Sequence, residues 1–300
     1  MSFGSFDIKH VTLSDKPLFD RYFKNSTFMN SDFTFTNLFM WKKAYNIRFA
    51  EIANCLCIFF RYGNSPESVT FPLGKDPEIA LDEIISFFAS TNTPFILRLF
   101  SREQKSLVKH FFPDVFSFKK DLSNSDYVYK TSDLIELPGQ RYHAKRNHIN
   151  KFKSLYDFQY RPLVPSDKAE CKEMFCHWCN TKIGKIDNIG EQLDAVGTLL
   201  DNWESLDISA GGIFVDGKMV AFSFGEVLNY NKSMAVIHLE HANTDFQGSF
   251  AMINQQFAMN QWSNLQFMNR EEDMGLEGLR KAKKSYYPVF MVEKYTAVPK

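Results

Sequence analysis

Residues 269–295 read NREEDMGLEGLRKAKKSYYPVFMVEKY and carry more charge of both signs than any neutral surface needs. Glu271, Glu272, Asp273 and Glu277 come first, and Arg280, Lys281, Lys283 and Lys284 follow. Gly275 and Gly278 lie between the acids and the bases. Acids at a strand end can hold a substrate ammonium, and Arg280 and Lys283 can hold a phosphate or a carboxylate. A surface helix accounts for part of the pattern without a ligand. Asp273 can cap it, and Glu277 and Lys281 can pair at i,i+4, each for ~0.3–1 kcal/mol. Gly278 is left over, because glycine inside a helix costs about 1 kcal/mol against alanine. A ligand or a second backbone passing close by would explain it.

A second charged stretch, residues 139–156, reads GQRYHAKRNHINKFKSLY. It holds Arg141, Lys145, Arg146, Lys151 and Lys153 and no acid. Ile149, Phe152 and Tyr156 recur at helical spacing, so the cations share a helix with an apolar stripe. Such a face binds polyanions in a salt-dependent way; the alternative is a solvated helix whose arginines cap carbonyls.

The elements that must position these charges are easiest to follow in the second half. A strand is expected over 157–164, then a helix from Ser166 or Asp167, and a second helix over 191–203. Residues 211–228 form a hairpin about Asp216-Gly217, a type I′ turn signal. A strand over 233–243, a helix over 248–262 and a strand over 265–269 follow. A helix over 276–286, with Leu276 and Leu279 inward, and a strand over 289–295 close the chain. In the helix over 248–262, Phe250, Ile253, Phe257 and Ala258 make the apolar stripe. The first half gives strands over 6–12, 46–52, 55–61, 68–73 and 94–100, with helices over 16–23, 32–43, 77–90 and 102–112. No sequence repeat is visible, but the order of elements is similar in the two halves. The division expected is a first domain over 1–137, a linking basic helix over 138–156 and a second domain over 157–300.

Composition narrows the classes. In 300 residues, 35 basic and 35 acidic side chains cancel, so any attraction to nucleic acid or membrane must come from local patches. No apolar run approaches the ~20 residues of a membrane-spanning helix, and no secretory leader is visible, so a soluble cytoplasmic protein is expected. Cys171, Cys176 and Cys179 lie on one helix and Cys55 and Cys57 on one strand. Without a second C-x-x-C to complete a tetrahedral site, they read as buried reduced thiols, and no metal is expected.

The chain resembles the family that shares the C-terminal catalytic domain of phosphatidylglycerol lysyltransferases, distant relatives of the Fem peptidyltransferases. The residues that carry the resemblance are KRNHINKF at 145–152, HLEHAN at 238–243 with Gly248, and NREEDMGLEGLRKAKKSYYP at 269–288. The resemblance implies an α/β fold of two GNAT-like acyltransferase domains in tandem, each a mixed, mostly antiparallel sheet flanked by helices. It also implies transfer of an aminoacyl group from aminoacyl-tRNA to a lipid headgroup or a small molecule. No cofactor would be held permanently, and no DNA partner is implied. Contact with a membrane surface stays open, although the chain shows no membrane region like the one that precedes the domain in the lipid-modifying enzymes.

On that resemblance Glu240, Asp273 and Tyr286 are the candidate catalytic residues. Glu240 would act as a base or as partner of a substrate amine, with an outward-facing strand acid as the plain alternative. Tyr286 would protonate the leaving group, with core packing as its alternative. Asn243, Gly248, Ser249, Asn269, Glu272, Gly275, Gly278, Arg280 and Lys283 would line the substrate. Arg141, Lys145, Arg146 and Lys151 would meet tRNA phosphates. An acyl-CoA donor is the competing reading. The loop DFQGSF at 245–250 opposes it, since Asp245 and Phe250 stand where a pyrophosphate cradle would carry Gln or Arg and a small residue. A non-catalytic binding protein on the same fold is the third.

Overall fold

The computed structural model describes residues 6–23, 29–181, 189–228 and 233–300. The chain forms two compact units: Met1–Asp126 with Glu272–Leu276 and Val292–Lys300, and Tyr127–Glu271 with Glu277–Met291. The units therefore differ from the consecutive stretches drawn along the sequence. The acidic turn 272–276 groups with the first, while the acids and bases on either side of it group with the second.

In the first unit the strands run in the order Lys9–His10, Arg48–Ile52, Cys55–Phe60, Ser68–Val69, Leu97–Phe100 and the last strand, Phe290–Pro299. Pairing is antiparallel except between Ser68–Val69 and Leu97–Phe100. Helix Pro77–Ser90 starts with proline in its first turn and buries Ala80, Leu81, Ile84 and Phe88. Phenylalanines fill this core, with Phe88, Phe95, Phe100 and Phe116 packed edge to face or tilted. A fully buried Lys294 lies between Asp126, at 2.7 Å, and Asp32, at 2.5 Å.

In the second unit the order is the end of Phe116–Lys130, then Phe267–Asn269, Met234–Ala242, Lys218–Leu228, Ser209–Val215 and Phe158–Pro162. Among the described residues of this unit, only Met234–Ala242 with Phe267–Asn269 is parallel. Asp216 and Gly217 both take positive φ, as a type I′ hairpin requires. Helix Ser249–Trp262 packs its Ile253, Phe257 and Ala258 into the core, while Phe250 is exposed, so the expected stripe is narrower. The basic stretch is a helix, His143–Leu155, seated on Ile149 and Phe152. Strand Phe116–Lys130 and helix Thr131–Glu136 have no counterpart in the expected elements. Leu276, expected to point inward, is exposed, and Leu279 is half-buried. Four cysteines are buried as expected, but Cys176 is exposed, and all five are free. Among the described residues no helix is long and apolar enough to cross a membrane.

Candidate active site

The parallel strands Met234–Ala242 and Phe267–Asn269 pair only from Met234 with Phe267 to Val236 with Asn269. Beyond that register no ladder joins them among the described residues. Crevices beyond the carboxyl ends of parallel strands are where ligands enter α/β sheets. Alternation sends His238 and Glu240 to one face of the first strand, and Arg270 and Glu271 follow the end of the second.

Ionic struts bridge this parting. Arg270 Nη2 donates to Glu240 Oε1 at 2.7 Å, and Asn254 Nδ2 donates to Glu240 Oε2 at 3.1 Å. His238 Nδ1 lies 2.8 Å from Glu271, and its Nε2 lies 2.8 Å from Glu226 on the neighbouring strand. An imidazolium can donate through both nitrogens at once. Burial pulls the His238 pKa down, but the hydrogen bonds and charges of Glu226 and Glu271 outweigh it and raise it to about 9.

Aromatic side chains wall the Arg270 guanidinium, which lies 4.9 Å from the Tyr286 ring and 5.5 Å from that of Tyr129. The Lys145 ammonium sits 4.0 Å from the Tyr286 ring centre. Burial, joined by the Arg270 charge and partly offset by Glu240, lowers the Lys145 pKa to about 8. Burial raises the phenols of Tyr129 and Tyr286, so both keep their protons at neutral pH. Backbone clamps hold the group: Lys283 donates to the Arg270 carbonyl, Tyr129 to that of Lys283 at 2.8 Å, and Tyr142 to that of Tyr286 at 2.9 Å. The Lys283 carbonyl, in the last turn of helix Glu277–Lys284, also accepts from the Tyr286 N–H at 3.1 Å, and Tyr286 lies just beyond the helix. A fixed carboxylate, fixed cations and a protonated phenol are what group transfer from an ester requires.

Of the expected site residues, Glu240, Lys283 and Tyr286 meet in this cluster, and Arg280 is half-buried on the helix that carries Lys283. Asn269 closes the strand end by accepting from the Glu271 N–H at 2.7 Å. Asn243 does the same for Asp245 at 2.9 Å, and its carbonyl accepts from Ser249 Oγ at 2.8 Å. Gly248 has φ +94°, and a Cβ there would stand 2.3 Å from the His148 carbonyl oxygen. The start of helix Ser249–Trp262 is thus packed by the backbone of the basic helix.

Asp273, Glu272 and Gly275 belong to the first unit. Asp273 is fully buried, and its Oδ1 accepts from the Gly275 N–H at 2.9 Å. It closes a turn, while the helix it was expected to cap begins at Glu277. Gly275, at φ +78°, is required by that turn. Gly278 is exposed, with nothing within 4 Å of a Cβ, so neither a second backbone nor a side chain accounts for it.

The basic helix divides its cations. Arg146 donates to the carbonyls of Leu137 and Gly139, which makes it a cap of the preceding turn. Arg141 pairs with Asp133 at 3.0 Å but stays exposed, as does Lys151. Lys145 turns inward to Tyr286. Arg270 and His238 were missed by sequence reasoning. Each lies within a quoted motif, but only the parting of two strands distant in sequence gives them partners.

The chain matches the family described as phosphatidylglycerol lysyltransferase, C-terminal, over residues 23–298. It belongs to the phosphatidylglycerol lysyltransferase C-terminal family. A crystal structure of a conserved protein of unknown function from Bacteroides thetaiotaomicron is 34% identical, with TM-score 0.91 over 98% of this chain and 100% of that one. The structure of L-PGS from Bacillus licheniformis is 16% identical, with TM-score 0.67 over 97% of this chain and 92% of that one. A tandem GNAT protein from the clavulanic acid biosynthesis pathway superposes with TM-score 0.53 at 7% identity over 98% of each chain. These last two share the fold, which is the tandem GNAT-like fold. An uncharacterized protein from Mycoplasmoides gallisepticum is 23% identical over 177 residues, 58% of this chain. The chain spans about 56% of the length of that curated relative.

Proposed function

We propose that this chain transfers an aminoacyl group from aminoacyl-tRNA to a lipid headgroup or a small molecule, with no permanently bound cofactor. The observation that carries the reading is Glu240, a carboxylate fixed by Arg270 and Asn254 where the parallel strands part. Each oxygen keeps a lone pair, so Glu240 can receive the aminoacyl ammonium. The acceptor's oxygen or nitrogen attacks the ester carbonyl carbon and passes its proton to the Tyr286 oxygen as that phenol releases its own. The bond to the ribose oxygen breaks, and that oxygen takes a proton from Tyr286, whose phenol burial keeps protonated. Arg141 and Lys151, exposed on and beside the basic helix, meet tRNA phosphates. Asp273, Glu272 and Gly275 have no step in this reading.

The packed Gly248 weighs against an acyl-CoA donor, because the helix start that would cradle a pyrophosphate meets the His148 carbonyl. The reaction would run in the cytoplasm, at a membrane surface if the acceptor is a lipid. Binding of charged and uncharged bulk tRNA at low and moderate salt, with CoA as competitor, tests the donor. Salt-sensitive binding that prefers charged tRNA and ignores CoA is expected. Binding of CoA without tRNA would overturn the reading.

A further inference from the structure

We propose that Lys145 and Arg270 form an oxyanion-binding subsite beside Glu240, which takes a phosphate ester or carboxylate of a substrate. The identity of that substrate rests on the transferase reading; the binding of an anion does not.

Three observations within the second unit carry it. First, Arg270 Nη1 is buried and has no hydrogen-bond partner among the described residues, although Nη2 is satisfied by Glu240. Buried guanidinium donors are almost always paired, so an orphan marks a missing acceptor. Second, the Lys145 ammonium makes no hydrogen bond or ion pair among the described residues and has only the face of the Tyr286 ring. Both oxygens of Glu240, the acid nearest to these cations, are already held by Arg270 and Asn254. Third, two cations therefore share one carboxylate in a half-buried place, and each feels the other: Arg270 lowers the Lys145 pKa. An ordered water could accept from Arg270 Nη1 but would not balance the charge. An oxyanion with two or more acceptor oxygens does both. Lys145 is thereby moved from the tRNA-facing set to the substrate crevice, where the inward turn of its side chain already puts it.

The test is titration calorimetry of the full chain near pH 7 with inorganic phosphate and, separately, acetate. Saturable binding of either probe is expected, phosphate pointing to a phosphate ester and acetate to a carboxylate. Lys145→Met keeps the volume and leaves the Glu240–Arg270 pair intact, so it should fold, and it should weaken binding by about tenfold or more. Lys168→Met, which removes an exposed lysine elsewhere, should bind as the wild type does. Absence of saturable binding of both anions, or undiminished binding by folded Lys145→Met, would overturn the subsite. Anion binding that depends on Lys145 without any binding of charged tRNA would keep the subsite and discard the donor. Binding of charged tRNA without anion binding would do the reverse.

Discussion

Glu240 and His238 sit two residues apart on one strand and do different work. Glu240 is held by donors that leave it lone pairs; His238 is locked between two acids. Replacing Glu240 by Gln keeps the shape but leaves the mostly buried Arg270 without its counter-charge. Transfer should fall by about a hundredfold, and stability should drop by roughly 3 kcal/mol. Initial rates and urea unfolding check the two effects. For His238 the folded pKa of about 9 exceeds the ordinary value of 6.5. Its stabilisation is therefore complete below 6.5 and lost as pH rises through 9. Lys145 has the opposite sign. With a folded pKa of about 8, below the ordinary 10.5, it destabilises below pH 8, and that penalty fades above it. Between pH 6.5 and 8 His238, facing Glu226 and Glu271, dominates the change, while His241, whose pKa burial lowers to about 3, and Lys145 work weakly in the opposite direction. Urea unfolding should show about 1–2 kcal/mol of stability lost across that window. A His238→Gln variant should be less stable but should lose no stability across that window. An unchanged slope in the variant would refute the assignment.

At the scale of elements, two glycines make opposite predictions. Gly248 starts helix Ser249–Trp262 at φ +94° against the His148 carbonyl, so Gly248→Ala should destabilise by about 2–4 kcal/mol. Gly278 lies in the exposed helix Glu277–Lys284 with open space around it, so Gly278→Ala should stabilise by up to about 1 kcal/mol. Thermal unfolding of both variants checks the pair. The sequence shows a glycine in each place and cannot tell them apart. The difference is a carbonyl supplied from about a hundred residues away. The basic helix teaches the same lesson. Its period was legible in Ile149 and Phe152, but whether a given lysine faces solvent or a tyrosine depends on what packs against it.

For the whole molecule, the net charge of zero means that any attraction to the proposed tRNA donor must be local. Lys151 and Lys153 are exposed on the basic helix. Replacing both with alanine should lower the slope of log affinity against log salt by about 2 while sparing the fold. Filter binding across a salt series measures it, and an unchanged slope would remove this helix from the tRNA surface.

By itself the sequence determined the elements of the second half, the helical periods, the hairpin at Asp216-Gly217 and the motifs that named the family. These are local patterns, set by side-chain spacing of two or 3.6 residues and by turn chemistry. Only the tertiary structure decided that residues 269–295 are shared between two units, that Asp273 closes a turn, and that Arg270 meets Glu240. Strand Phe116–Lys130 also escaped, because its polar middle, residues 119–126, lacks an apolar alternation. A charge acquires a role from its partners, and partners thirty residues away in sequence are chosen by the fold.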